Sequence, residues 1–376
     1  MLRSKHRKYY IFCCAVWAVA VASKFKFHGL VFGFDYGNYQ PDGKFYTYMA
    51  LDFLNHNPAN SAQQVVDWYL KNGFKMNTFT IQDLMPQTSY AYPVISHRIL
   101  YPLLSVPFVA LFGIPGMLVI PAISLLALFM SIQLLANKFN KSLVGLGIIL
   151  ILASSSTVMR WMMVNCTDAL LVGLFSFLPL LLCHQFQKKS TAIVGIGLLI
   201  VLTSATRFVL PFWICIIFTL YFHDRKRISY LFLLLLSALS AIPALKAQIS
   251  TALLPGETDS STLTKIFQLP ISFVKVFIID FLEFGVLDRI FLIFIFITAI
   301  QSIRLYRRLS AQLFAASLFA GYVIGAINGT LGVNFRYQIP VLIFAAWALL
   351  DSLEITGSGL RLTPAINGNV VIDKAQ

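Results

Sequence analysis

The sequence predicts an all-α, polytopic integral membrane protein with about ten or eleven transmembrane helices and a long first extracytoplasmic loop, and three observations carry that expectation. Of 376 residues, 58% are hydrophobic and only 12% charged, too little charge to cover a water-soluble body of this size. Apolar runs recur from residue 9 to residue 352, which is not the pattern of one signal peptide followed by a soluble domain. The formal net charge of +14 sits mostly in short clusters beside apolar runs: RSKHRK at 3–8, KK at 188–189, RKR at 225–227 and RLYRR at 304–308. Clusters so placed mark cytoplasmic loops and not a nucleic-acid surface.

Taken in chain order, the basic start and the apolar run after it read as an uncleaved first span with its N-terminus in the cytoplasm. Residues 34–97 then lie outside as the longest polar region, and within it AQQVVDWYLKNGF has the spacing of an amphipathic helix lying on a membrane surface. Further spans are expected near 99–113, 117–136, 142–158, 166–184, 191–205, 208–222, 228–245, 288–303, 310–327 and 338–352. A second outer loop, 246–285, opens with a Pro-, Gly-, Ser- and Thr-rich stretch that holds no apolar run long enough to span. Residues 1–354 thus form one transmembrane domain, and 355–376 a disordered cytoplasmic tail.

Placing the KK, RKR and RLYRR clusters inside sets 159–168, 246–285 and 328–337 outside and NKFNK at 137–141 inside. Counting forward from the N-terminus through every span gives the opposite side for 137–141 and 159–168. One short segment between 99 and 136 must therefore be re-entrant or only partly spanning, and the Pro-interrupted LYPLLSVPFVALFG is the one assigned.

With that topology, ionisable groups at span ends gather on the outer side: Asp35 and Asp42, His97 and Arg98, Arg160 and Asp168, Arg207, and Arg336 with Tyr337. Such groups are costly at the membrane edge and are functional candidates by default. A single charged side chain at a helix end usually snorkels to the interface. The positive-inside rule, however, gives no reason to keep four arginines at outer span ends, whereas an anionic ligand such as phosphate does.

Each candidate also has a plainer structural account. Asp42 lies in Pro-Asp-Gly, a strong Asx-turn signal. Its chemical reading is a general base, a carboxylate beside apolar surface with raised proton affinity, and Asp35 in FGFDYGNY is the second candidate for that role. Asp168 suits a helix N-terminus together with Thr167, which is compatible with a place in a site. An isolated histidine such as His97 is more often a satisfied interfacial residue than a ligand, and Arg336 with Tyr337 reads as part of an interfacial belt. The five cysteines, Cys13, Cys14, Cys166, Cys183 and Cys215, lie in or beside apolar runs without metal-ligand spacing and read as small hydrophobes. There is no Walker loop, no GxGxxG after a strand, no HExxH and no CxxC, so nucleotide-driven and zinc-hydrolase chemistry find no motif.

The layout has a recognisable order: one span, an outer loop opening with PDGKFYTYMALDFL, then SHRILYPLLSVPF, MRWMMVNCTDALL at the mouth of a span, TSATRFVLP at a span end, and a late NFRYQIP. Over most of the chain this resembles the GT-C superfamily of polytopic glycosyltransferases, in particular bacterial members whose first outer loop carries an Asp-Gly-x-Phe-Tyr signature followed by an Arg-x-Leu-Tyr-Pro segment. The resemblance implies a polyprenyl-phosphate-linked sugar donor, transfer with inversion to a lipid-linked or cell-envelope glycan, and a site facing the periplasm or exterior of a bacterial inner membrane. It implies that Asp42 is the catalytic base and that Asp168 lines the same cavity. Arg98, Arg207 and Arg336 then line the cavity or hold the donor phosphate, and Lys44, Tyr46, His97, Arg160 and Tyr337 complete the substrate-binding candidates. The family often pairs two acidic residues in its first loop, whereas Gly43 and Lys44 follow Asp42 here, which counts against a metal-centred mechanism and leaves a divalent cofactor open. The expected partners are donor, acceptor and membrane lipids, not nucleic acid. The alternatives are a transporter or flippase of a lipid-linked saccharide, although the sequence holds no internal repeat, and an oligosaccharide polymerase or ligase.

Overall fold

The computed structural model describes residues 4–27, 41–71, 80–86, 92–183, 189–224, 227–252, 270–275, 277–279, 282, 288–328 and 336–357, and every regular element among them is a helix. Asp35, residues 253–269 of the expected second outer loop and the tail beyond residue 357 lie outside the described residues.

Helix α1 (Ser4–Phe27) carries the basic start into the first apolar run. Helix α2 (Pro41–Asn55) begins at Pro41, whose fixed φ suits the first helical position and whose missing N–H has no partner to lose there. Asp42 adds a carboxylate to the first turn, where the helix dipole favours it. The Pro-Asp-Gly signal therefore opens a helix instead of forming a free Asx turn.

Helix α3 (Pro58–Lys71) is the amphipathic segment, with Ala62, Val65, Val66 and Tyr69 buried at i, i+3, i+4 and i+7. That face is covered by protein: α3 packs on α2, and its apolar residues join a cluster with Tyr46, Tyr48 and Tyr101. Single turns α4 (Ile81–Leu84) and α5 (Tyr92–Ile95) follow.

Helix α6 (Leu100–Phe112) has 13 residues, about 20 Å at the usual rise per residue, and packs on α2. Gly113 ends it at φ +67°, a conformation open to glycine, and a 3-10 turn at Ile114–Leu118 folds back against it. The return is tight enough that a Cβ on Gly116 would meet Phe108 O at 2.2 Å. Then come α7 (Val119–Lys138), α8 (Ser142–Ser154), α9 (Ser156–Met162), α10 (Thr167–Phe175), α11 (Phe177–Cys183), α12 (Lys189–Ser204), α13 (Leu210–Asp224) and α14 (Arg227–Ala252). The last three are α15 (Arg289–Arg304), α16 (Leu309–Asn328) and α17 (Val341–Gly357).

The main core gathers α1 and α7 to α17, with Phe175 stacked on Trp213 at 5.2 Å between ring centroids and edge-on to Phe344 at 6.3 Å. Helix α17 is its centre: every residue from Val341 to Ala348 is buried, as expected of a helix apolar all round. The second core is the α2, α3 and α6 layer, tied to α10 through Val164, Cys166 and Leu170. At the 77° bend between α8 and α9, Asp288 accepts from the Ser155 hydroxyl at 2.6 Å and Thr157 N–H at 3.0 Å, and its other oxygen accepts from Phe291 N–H at 3.2 Å. One buried carboxylate thus caps α15 and pins it to the bend.

Among the described residues three helical stretches, Ile114–Lys138, Ser229–Lys246 and Leu309–Ala326, are long and apolar enough to cross a membrane, four if the bent pair counts as one span. The sequence expectation of about ten or eleven is larger because hydropathy averages over breaks in the chain. Several apolar runs form helices of only 10–17 residues, among them Leu100–Phe112, Leu210–His223 and Val341–Leu353. At about 1.5 Å per residue these fall short of a hydrocarbon layer about 30 Å thick. Large apolar side chains nonetheless face outward from several helices, including Leu111, Leu143, Val194, Leu231 and Ile303, each at least 66% exposed.

Candidate functional site

Five charged side chains far apart in sequence meet in one buried cluster. Asp42 is the second residue of α2 and Asp168 the second residue of α10. Arg98, Arg207 and Arg336 lie two, three and five residues before the first residues of α6, α13 and α17. The two carboxylates thus stand in first helical turns, at the positive end of the backbone dipole, and the three arginines stand on the segments that lead into helices.

Arg336 is the hub. Its Nε donates to Asp168 Oδ2 at 3.0 Å, and its Nη2 donates to Asp42 Oδ2 at 2.8 Å and to Cys166 Sγ at 2.9 Å. Arg98 Nη1 donates to the same Asp42 oxygen at 3.0 Å and to the Tyr46 hydroxyl at 2.9 Å. Arg207 Nη1 pairs with Asp168 Oδ1, and the Cys166 thiol donates to Asp168 Oδ2 at 2.6 Å. Aromatic faces hold two of the guanidiniums: Arg207 lies 4.3 Å from the centre of the Tyr337 ring and Arg336 lies 5.1 Å from that of Trp161.

Electrostatics divide the two carboxylates. Asp168 is fully buried, whereas the Asp42 side chain keeps 16% of its surface exposed. Burial alone would push the Asp42 carboxyl up, but the Arg336, Arg98 and Arg207 charges, with the Arg336 hydrogen bond, outweigh it and hold the group well below the usual carboxylate range. This reverses the raised proton affinity expected from an apolar surface. Burial pushes the Tyr46 phenol up to about 12, so it remains a protonated partner for Arg98.

The frame around the cluster explains its geometry. Asn165 Nδ2 donates to Gly43 O at 3.0 Å and to Thr47 Oγ1 at 2.8 Å, and its Oδ1 accepts from the Tyr101 hydroxyl at 2.7 Å. These bonds seat the first turn of α2 on the loop before α10. A Cβ on Gly43 would stand 2.9 Å from Asn165 O, a backbone atom that the bonds hold in place. Gly43→Ala should therefore push α2 off this loop and cost about 1–3 kcal/mol, read as a lowered midpoint of thermal unfolding in detergent. Gly321 plays the same part for Arg336: a Cβ there would meet Gln338 Cα at 2.9 Å, so α16 can back the Arg336 turn only without one.

Of the side chains expected from sequence, Asp42, Tyr46, Arg98, Asp168, Arg207, Arg336 and Tyr337 come together here. The bonds traced above do not run through Lys44, His97 or Arg160, which are half-buried and lie one or two residues along the chain from Asp42, Arg98 and Trp161. Asp35 lies outside the described residues. Cys166, Asn165, Tyr101 and Trp161 belong to the cluster or its frame without having been expected. Cys166 in particular is no inert hydrophobe, since its sulfur touches both a carboxylate and a guanidinium. The available signal was NCT, a short polar interruption between apolar runs directly before Asp168.

Three guanidiniums against two carboxylates leave the cluster one net positive charge, and the helix starts at Asp42 and Asp168 add to it. A cleft of about 10 Å³ beside Arg207, Arg336, Tyr337 and Phe212 has room for roughly one water. Among the described residues no group of three or more His, Cys, Asp or Glu side chains is placed to hold a metal ion. The arrangement can attract and orient an anion and can offer a carboxylate beside it. Compared with known proteins, the chain matches no protein-family model, no curated protein and no solved structure.

Proposed function

We propose that this chain is a membrane glycosyltransferase that moves a sugar from a polyprenyl-phosphate donor to a lipid-linked or cell-envelope glycan at the outer face of a bacterial inner membrane. The observation that carries the reading is the meeting of Asp42 with Arg98, Arg207 and Arg336, a candidate base beside a set of phosphate-matching donors. Outward-facing apolar side chains on several helices support a lipid setting, as does the resemblance of the layout to the GT-C superfamily.

In this reading Arg98 and Arg336 hold the donor phosphate, and Asp168 and Cys166 hold Arg336 in position. The acceptor hydroxyl gives its proton to Asp42, its oxygen forms a bond to the anomeric carbon, and the bond from that carbon to the lipid phosphate breaks. The electron pair leaves on the phosphate, where guanidinium charge stabilises it. Attack opposite the leaving group inverts the anomeric centre.

The test is transfer of labelled sugar by the full chain reconstituted in lipid, offered polyprenyl-phosphate sugars and nucleotide sugars in parallel. Label should pass from the lipid-linked donors alone. Movement of intact donor across the bilayer without transfer would overturn the enzyme in favour of a transporter.

A further inference from the structure

Asp42 sits between two guanidiniums. Its Oδ2 alone takes two guanidinium bonds, from Arg98 at 3.0 Å and Arg336 at 2.8 Å, the same charge-assisted contacts a phosphate oxygen makes. The two arginines come from parts of the chain 238 residues apart, and each is held by something other than Asp42. Arg336 keeps its bond to Asp168 and its place on the Trp161 ring, and Arg98 keeps its bond to Tyr46. Arg98 Nε is a buried donor with no acceptor within hydrogen-bond reach. A charged donor left in that condition is costly and signals a missing partner.

We propose that Arg98 and Arg336 form a cradle for a phosphate ester anion, and that Asp42 fills this cradle as an internal anion until the ligand displaces it. The inference deepens the transferase reading and rests on it for the role of Asp42 as base. The asymmetry of the carboxylates identifies the one that moves. Asp168 is fully buried and is bound by Arg207, Arg336 and Cys166, whereas Asp42 is partly exposed and is held through one oxygen by Arg98 and Arg336.

Exchange of one anion for another leaves both arginines paired, so the ligand need not bury an uncompensated charge. An incoming phosphate also brings an acceptor for Arg98 Nε. The exchange has a chemical consequence. Held between Arg98 and Arg336, Asp42 is a weak base, because the neighbouring guanidiniums hold its proton affinity down. Once phosphate occupies the cradle, its negative charge offsets those guanidiniums and Asp42 regains basicity beside the acceptor. The base becomes competent only with donor in place.

The experiment measures anion binding to the full chain in phosphatidylcholine nanodiscs, with inorganic phosphate in one arm and phosphatidic acid in the disc in the other. Asp42→Asn removes the internal competitor and should tighten binding by about fivefold, the equivalent of one partly exposed ion pair. Tightening in both arms assigns recognition to the phosphate group itself. Tightening only with phosphatidic acid assigns it to a phosphate carried on a lipid, and unchanged or weaker binding in both arms overturns the proposal. Infrared difference spectra of the wild-type chain supply a readout that needs no variant to fold: phosphate should shift one carboxylate stretch, and its absence would count equally against the exchange. No sugar is present in either measurement. Tightened binding without any sugar transfer would leave the cradle standing and remove the transferase, and transfer with unaltered binding would do the reverse.

Discussion

Asp168→Ala should lower the stability of the protein by about 3–5 kcal/mol, the largest loss expected from a single change at the cluster. The cost comes from what is left behind. Arg207 pairs with Asp168 Oδ1 and Arg336 Nε with Oδ2, and all three side chains are at least nine-tenths buried. Removing the carboxylate leaves the buried Arg207 guanidinium without its ion pair while Arg336 keeps Asp42, and burial together with the Arg336 charge already lowers the proton affinity of Arg207. Cys166 would lose its acceptor as well. Asp168→Asn keeps an oxygen in the same place while losing the charge, so it should fall between wild type and Asp168→Ala. Thermal or denaturant unfolding of the detergent-solubilised chain reads the difference, and a wild-type midpoint for both variants would show that Asp168 is not the anchor of the cluster.

Asp42→Asn should instead reduce turnover by about 10²–10⁴-fold, the usual contribution of a positioned base, while the protein stays folded. Folding should survive because Asp42 is on the exposed side of the cluster, Arg336 retains Asp168, and Arg98 retains Tyr46. Asparagine also still presents an oxygen to the arginines. The two variants thus separate the carboxylates by readout, with Asp168 acting on stability and Asp42 on rate. Single-turnover transfer at saturating donor checks the second expectation, since a defect in donor binding alone would disappear under that condition.

Much of the helical layout is legible in the sequence. Apolar runs expected at 117–136, 191–205 and 310–327 are the helices Val119–Lys138, Lys189–Ser204 and Leu309–Asn328. Hydropathy reads these well because it measures the transfer cost of a window, which depends little on the neighbours. It does not read breaks. The run at 142–158 is bent by 77° across Ser155, so it is shorter as a straight helix than as sequence, and the run at 166–184 forms the helical stretch Thr167–Cys183 with one turn residue at Ser176. The turn residues of Pro-Asp-Gly mislead for a different reason: Pro and Asp are equally suited to the first turn of a helix, and here the bonds from Asn165 favour the helix.

The site was legible as a set of residue types but not as a set of pairs. Arginines at span ends on a single side pointed to an anion, and the structure gathers Arg98, Arg207 and Arg336. That Arg336 would grip Asp42, 294 residues away, while also holding Asp168, is a product of tertiary packing without local trace. The proton affinity of Asp42 follows from that pairing, which is why a reading from neighbouring apolar residues gives the wrong direction. Cys166 was hidden by its type, because a cysteine between apolar runs gives no sign that its sulfur meets a carboxylate.

The most direct measurement of the whole account is donor binding and label transfer determined on the same reconstituted samples of wild type and Asp42→Asn. The account predicts that both bind a polyprenyl-phosphate sugar, the variant more tightly, and that wild type transfers the sugar while the variant is slowed by at least about 10²-fold. Transfer by Asp42→Asn at the wild-type rate, or weaker donor binding in the variant than in wild type, would contradict it.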